Sequence, residues 1–169
     1  NEKTLPLYYS DYSNLSPNDT KKPLKSYGIK INSFNSNGVQ SFDAFLSDKM
    51  NVGAVSFTAD GRKAYYTRNQ KRSRGVYQLE IWEATNINGK WMNSHKMFFN
   101  NPNFSYFHPA ITQDGKRLYY VSDDNTTGYG GTDIYYVERN EDGSWKNTVN
   151  LGQDINTAGN ELFPTFYEG

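Results

Sequence analysis

Two stretches of this chain repeat one another at a fixed interval, and no other feature limits the available folds so sharply. FTADGRKAYYTRN, residues 57–69, aligns without a gap on ITQDGKRLYYVSD, residues 111–123. Gly61 and Gly115 lie 54 residues apart, and so do Trp91 and Trp145. Between these landmarks LEIWEATNINGKW matches DIYYVERNEDGSW once a single residue is inserted, which pairs Ile81 with Ile134 and Gly89 with Gly143. A unit of about 50 residues with four short strand signals cannot bury both faces of its sheet alone, and stacking such sheets around an axis solves that problem. The expected fold is therefore all-β: a β-propeller fragment with four-stranded antiparallel blades.

In the clearer unit the strands are expected at residues 109–112, 117–122, 133–138 and 145–151. Asp60-Gly61 and Asp114-Gly115 mark the first hairpin of each unit, because Gly tolerates positive φ and Asp bonds its own turn. Asn88-Gly89 and Asp142-Gly143 mark the last hairpin. Residues 53–107 and 108–163 each make one blade. Residues 1–52 form a partial blade and a long irregular connection, with the Leu7–Tyr9 region comparable to a third strand. FPTFYEG resembles the blade opening HPAITQDG, so residues 164–169 read as the first strand of a further blade. Propellers use roughly four to eight blades. The parent ring, expected to have about six to eight, extends beyond this chain.

Composition removes several function classes. Eighteen Lys and Arg balance eighteen Asp and Glu, so no net field steers the chain toward nucleic acid or an anionic membrane. The absence of Cys excludes disulfides, thiol nucleophiles and thiolate metal sites. No apolar run approaches the roughly 20 residues of a membrane helix. The sequence opens on Asn1, which is the expectation for a processed protein whose targeting segment is missing. Aromatic residues at 16%, led by 14 Tyr, suit many short twisted strands.

VGAVSFTADGRKAYYTRN and SYFHPAITQDGKRLYYVSDDNTTGYGGTDIYYVERNEDGSWKNTVNLGQDINTAGNELFPTF resemble the WD-like propeller repeats of TolB-like and OmpA-associated proteins of the bacterial envelope. The likeness, over residues 51–169, is to OmpA-family proteins linked to type IX secretion and gliding motility. Their blades open with His-Pro, pass through an Asp-Gly hairpin and carry Gly-Gly-Thr-Asp-Ile-Tyr before the third strand. Here these are His108-Pro109, Asp114-Gly115 and residues 130–135. The sequence departs from the pattern at Glu168-Gly169, which stands for Asp-Gly, and in the unit with Val76–Ile81, which lacks the double Gly. The resemblance implies a non-enzymatic scaffold in the periplasm, associated with the outer membrane. It would bind outer-membrane or secretion-system proteins and reach peptidoglycan through a domain absent from this chain.

The motifs with possible chemistry read more simply as architecture. Gly130-Gly131 is followed by neither Lys-Ser/Thr nor a helix, so it is a turn that uses glycine's backbone freedom, not a phosphate cradle. Asp123, Asp124, Asn125 and Asp133 offer oxygens that calcium accepts, but they do not follow the EF-hand pattern and are read as turn caps, leaving no cofactor assigned. His95 and His108 are too few for a three-His zinc site. His108, held extended before Pro109, is expected to be hydrogen-bonded inside its blade. Trp91 and Trp145 are expected to pack between blades. Arg68, Lys71, Arg72 and Arg74 form a basic loop. Asp residues that recur at turn positions are no catalytic constellation. For partner binding the loops near Tyr106, His108, Tyr129 and Asp133 combine an aromatic with a polar turn. The alternative function is a glycan-binding or hydrolytic propeller with its site in the central funnel.

Overall fold

The computed structural model describes residues 7–10, 29–32, 40–41, 52–71 and 77–166. All of the regular structure in these residues is β, and it falls into two units, Asn1–Val52 and Gly53–Gly169. The first unit holds β1 (Leu7–Ser10), β2 (Ile29–Asn32) and β3 (Gln40–Ser41), antiparallel in that order.

The second unit holds two four-stranded antiparallel sheets. One runs β4 (Val52–Phe57), β5 (Lys63–Lys71), β6 (Tyr77–Ile87) and β7 (Lys90–Lys96). The other runs β8 (Tyr106–Ile111), β9 (Arg117–Ser122), β10 (Asp133–Glu138) and β11 (Val149–Asn150). Strands β9 and β10 fall where the alternation of Tyr, Val and polar residues puts them. The outer strands differ from expectation. Strand β8 begins at Tyr106, before the proline, and Trp145 forms only an isolated bridge with Arg139, so β11 shrinks to two residues.

Strand register reproduces the repeat. Tyr65 sits opposite Glu83 and Tyr66 opposite Trp82; Tyr119 sits opposite Tyr136 and Tyr120 opposite Tyr135. The one-residue insertion in the alignment is thus absorbed after the strand pair. The first hairpins also match. Asp60 Oδ1 accepts Thr58 Oγ1 at 2.5 Å and Arg62 N at 3.0 Å; Asp114 Oδ1 accepts Thr112 Oγ1 at 2.6 Å and Lys116 N at 2.9 Å. Gly61 and Gly115 close these turns at φ 66° and 69°, a conformation that costs an L side chain roughly 1–2 kcal/mol. Those same turn bonds lower the pKa of both carboxyls.

Side chains alternate across each strand, so each sheet has two faces to cover. The second sheet turns Leu118, Tyr120, Tyr135 and Val137 toward the first, where they meet Tyr65, Ile81 and Met97 in one buried cluster. Strand β8 lies against β5 and β6. Each such side chain stabilises by about 1.5–3 kcal/mol when fully buried.

A second device recurs without being visible as a motif. Asn100 Oδ1 accepts Ile81 N at 2.9 Å, and its amide donates to Ile81 O and Met97 O, both at 2.8 Å. Asn156 treats Ile134 the same way, accepting its N at 2.8 Å and donating to its O at 2.9 Å and to Asn150 Oδ1 at 2.8 Å. Ile81 and Ile134 are repeat equivalents, and Asn100 and Asn156 are both buried. Each asparagine satisfies third-strand backbone groups.

Candidate functional site

The seam between the two sheets is closed at one end by charge. Arg139, just after β10, donates to Tyr65 Oη at 2.7 Å and lies 3.8 Å from Glu83 Oε2. Its guanidinium stacks 4.2 Å from the centre of the Trp145 ring, which in turn meets Tyr65 edge-on at 6.1 Å. Lys63 completes the group through its ion pair with Glu83. Burial, together with the Glu83 charge, pushes the Tyr65 hydroxyl well above the usual phenol range, so it stays protonated. Trp145 thus packs between sheets as expected, whereas Trp91 meets Phe57 within its own sheet at 5.4 Å.

At the other end the seam opens into a cavity of about 480 Å³. Its walls are Phe99, Tyr106, Tyr120 and Tyr135, with Asp124 and Thr127 from the β9–β10 loop at the rim. Phe99 lies flat on Tyr120, with centroids 4.2 Å apart and planes 5° off parallel. Tyr135 is near-parallel to Tyr120 at 5.9 Å, and Tyr106 tilts against Tyr120 at 6.0 Å. The hydroxyls are anchored: Tyr120 to Thr148 Oγ1 at 2.9 Å, and Tyr135 to Thr127 Oγ1 at 3.2 Å and to Asp124 O at 3.1 Å. Burial raises the pKa of all three phenols, and the negative charge of Asp124 adds to the effect.

The loop behind the cavity is held by its own carboxylates. Asp123 accepts Ser105 N at 2.6 Å, Asp124 accepts Thr126 N at 3.0 Å and Thr126 Oγ1 at 2.5 Å, and Asp133 accepts Tyr129 N at 2.5 Å. The bonds of Asp124 and Asp133 are turn bonds, whereas Asp123 ties the end of β9 to the segment before β8. Among the described residues no cluster of three His, Cys, Asp or Glu side chains is placed to hold a metal. The double glycine requires a different explanation from the one the sequence invites. Neither Gly130 nor Gly131 has positive φ. They are needed for space: a Cβ on Gly130 would fall on the backbone of Thr157–Gly159, and one on Gly131 on Asn160. Gly131 N bonds Gly159 O at 2.7 Å and Glu161 N bonds Thr132 O at 2.9 Å across that approach.

The four residues singled out for partner binding are not presented alike. Tyr106 is buried in the seam, on the cavity wall. Asp133 is buried beneath Tyr129, and its Oδ1 has no hydrogen-bond partner among the described residues. Tyr129 is exposed. His108 is half-buried on β8, and one expectation about it needs correcting. Its φ is 52°, not extended, because β8 bulges between Phe107 and Ala110, where Pro109 has no N–H to pair. Its ring bonds within residues 108–163, Nδ1 accepting Phe163 N at 3.4 Å beneath a stacked Phe163 ring at 3.6 Å, while its backbone N donates to Thr67 Oγ1 of the first sheet at 3.1 Å. Phe163, before Pro164, has the same left-handed φ of 54°. His95 is exposed, opposite Glu83 on the neighbouring strand, with its Nδ1 3.1 Å from Asn93 O. Of the basic loop, Arg68 stacks 4.5 Å over Trp82, while residues 72–76 lie outside the described residues.

No protein-family model matches the chain, and no curated protein matches it.

Proposed function

We propose that this chain is part of a β-propeller that serves as a non-enzymatic protein-interaction scaffold in the bacterial envelope. The observation that carries the fold reading is that the second sheet repeats the first strand for strand and has the equivalent face still to be covered. The face of the first sheet bearing Tyr65, Ile81 and Glu83 is covered by the second sheet. The equivalent face of the second sheet bears Tyr119, Ile134 and Tyr136, with Phe166 4.8 Å from Tyr119. Such a face takes another sheet of the same kind, and repetition of that step builds a ring.

The recurring turn carboxylates, Asp60, Asp114 and Asp142, all bond their own hairpins, which favours an architectural over a catalytic use. Binding then falls to the loops at the ends of the strands. Placement in the periplasm at the outer membrane, in a secretion or motility complex, rests on the resemblance of residues 51–169 to OmpA-associated repeats. The test is mass spectrometry of what co-purifies with the tagged full-length protein from gently solubilised envelopes. Stoichiometric outer-membrane or secretion-system components are the expected result; isolation of the protein alone would overturn the scaffold reading.

A further inference from the structure

We infer that the cavity on the second sheet, closed over by Phe99 of the connection from the first, is a binding site for an organic cation, an alkylammonium or guanidinium head. At about 480 Å³ it falls in the size range of small-ligand pockets, which bury a guest against aromatic walls and orient it with a few polar groups. Its lining includes four aromatic residues, and aromatic rings attract cations; Phe99 and Tyr120 each use one face on their mutual stack. Its single charged lining group is Asp124, and no Lys or Arg lines it.

Asp124 has capacity to spare. Its Oδ1 accepts both bonds from Thr126, while no donor reaches Oδ2 and no ion pair forms among the described residues. Elsewhere in this unit the buried carboxylates Glu80 and Glu83 each have a cation, Lys96 and Lys63. Buried Asp133 has none but is held by the Tyr129 N–H, and Asp124, half-buried on the lining of the open-mouthed cavity, has no cation among the described residues. An anion would meet Asp124 and the negative ring faces, and an apolar guest would leave the carboxylate without a counter-charge in a narrowed opening. The three phenols remain protonated across the physiological range, so they add no charge of their own.

The cation is either free or carried on a side chain of a bound protein; the chemistry is the same. The inference does not depend on the scaffold reading, since it concerns the cavity alone. The experiment is titration of the full chain with N-acetyl-lysine amide, N-acetyl-arginine amide and the neutral N-acetyl-norleucine amide, followed by the tyrosine ring resonances. Saturable shifts are expected for the cations, with affinity roughly tenfold or more above norleucine. Asp124→Asn keeps the acceptor for Thr126, so the thermal midpoint should hold while cation affinity falls roughly tenfold. Val149→Lys places a tethered ammonium at the exposed rim and should abolish the shifts. Tighter binding of a lysine-containing peptide than of the single amino acid assigns the cation to a protein partner, and equal binding assigns it to a free amine. Equal affinity for norleucine, binding of methyl glucoside to the same rings, indifference to Asp124→Asn or absence of any saturable shift overturns the inference.

Discussion

Asn156→Ala tests whether one buried amide holds the third strand of the second sheet to the segment that leaves it. Asn156 is 1% exposed and makes three hydrogen bonds, to Ile134 N, Ile134 O and Asn150 Oδ1. Truncation leaves the Ile134 amide without its acceptor in a half-buried setting and removes a donor from two oxygens. A buried donor left unpaired costs about 1–3 kcal/mol, and each of the other bonds contributes about 0.5–1.5 kcal/mol. The expected loss is therefore about 2–6 kcal/mol. Asn156→Asp should be at least as harmful, because it keeps the acceptor for Ile134 N but faces Ile134 O and Asn150 Oδ1 with negative charge. With a urea slope of about 1–3 kcal/mol/M, the Ala variant should move the midpoint down by about 1–2 M. Asn100→Ala at the equivalent position should give a loss of the same order. Unfolding in urea, followed by tryptophan fluorescence, measures both. A loss below about 0.5 kcal/mol at either position, the level of an ordinary surface change, would refute the claim that these amides hold the third strands.

Three further changes probe the glycines and the histidine. Gly130→Ala should cost about 1–3 kcal/mol by forcing the loop off residues 157–159, whereas Gly143→Ala, at φ 85° in open space, should cost only about 1–2 kcal/mol. Thermal unfolding ranks them, and loss of Gly131 amide protection in hydrogen exchange should accompany the first alone. Burial holds His108 below its ordinary pKa of 6.5, so protonation favours the unfolded chain. Its contribution is fully present above pH 6.5 and is lost as pH falls below that value through the lower folded pKa. The difference in stability between the parent and His108→Gln should therefore narrow on acidification, and a difference that is flat between pH 5 and about 8 would refute it.

Strand positions were legible where the residues alternate strongly and the turns are local. RLYYVS and DIYYVE pair as β9 and β10 at the expected bounds, and the Asp-Gly hairpins form as the Gly and Asp chemistry requires. What the sequence concealed depends on contacts between distant segments. Asn100 and Asn156 differ in spacing from the hairpin glycines and sit in dissimilar strings, NNPNF and INTAG, so nothing local marks them as equivalent. The double glycine was misread for the same reason: its steric partner, residues 157–160, lies almost thirty positions on. His108 illustrates a competition between rules. The proline after it favours extended backbone, but a bulge and the Thr67 hydroxyl across the seam prevail. The cavity had half a signal, since Tyr106 and the aspartates of its loop were singled out, but only folding brings Phe99, Tyr120 and Tyr135 around them.

The two copies of the repeat are alike in backbone and unlike at the seam, and the difference controls which face accepts which neighbour. On the first sheet Tyr65 is paired across strands with Glu83, and the second sheet answers with Arg139 against both. On the second sheet the same pair of positions holds Tyr119 and Tyr136, with Phe166 against Tyr119, Arg117 over the Tyr136 ring and Glu138 bonded to Arg117. The position equivalent to Arg139 in the first repeat is Asn86, too short to reach as Arg139 does. A copy of the first sheet laid on the face of the second would therefore bring no guanidinium, and none is needed there. The second sheet laid on its own kind would bring Arg139 to a face that has Tyr136 where Glu83 stands and whose carboxylate, Glu138, is already paired with Arg117 and Lys146. Leaving such a charge unpaired costs several kcal/mol, more than the apolar packing of one side chain returns. The Glu83–Arg139 contact thus makes this face of the first sheet chemically different from its repeat equivalent, a distinction that a repeated backbone leaves to its side chains.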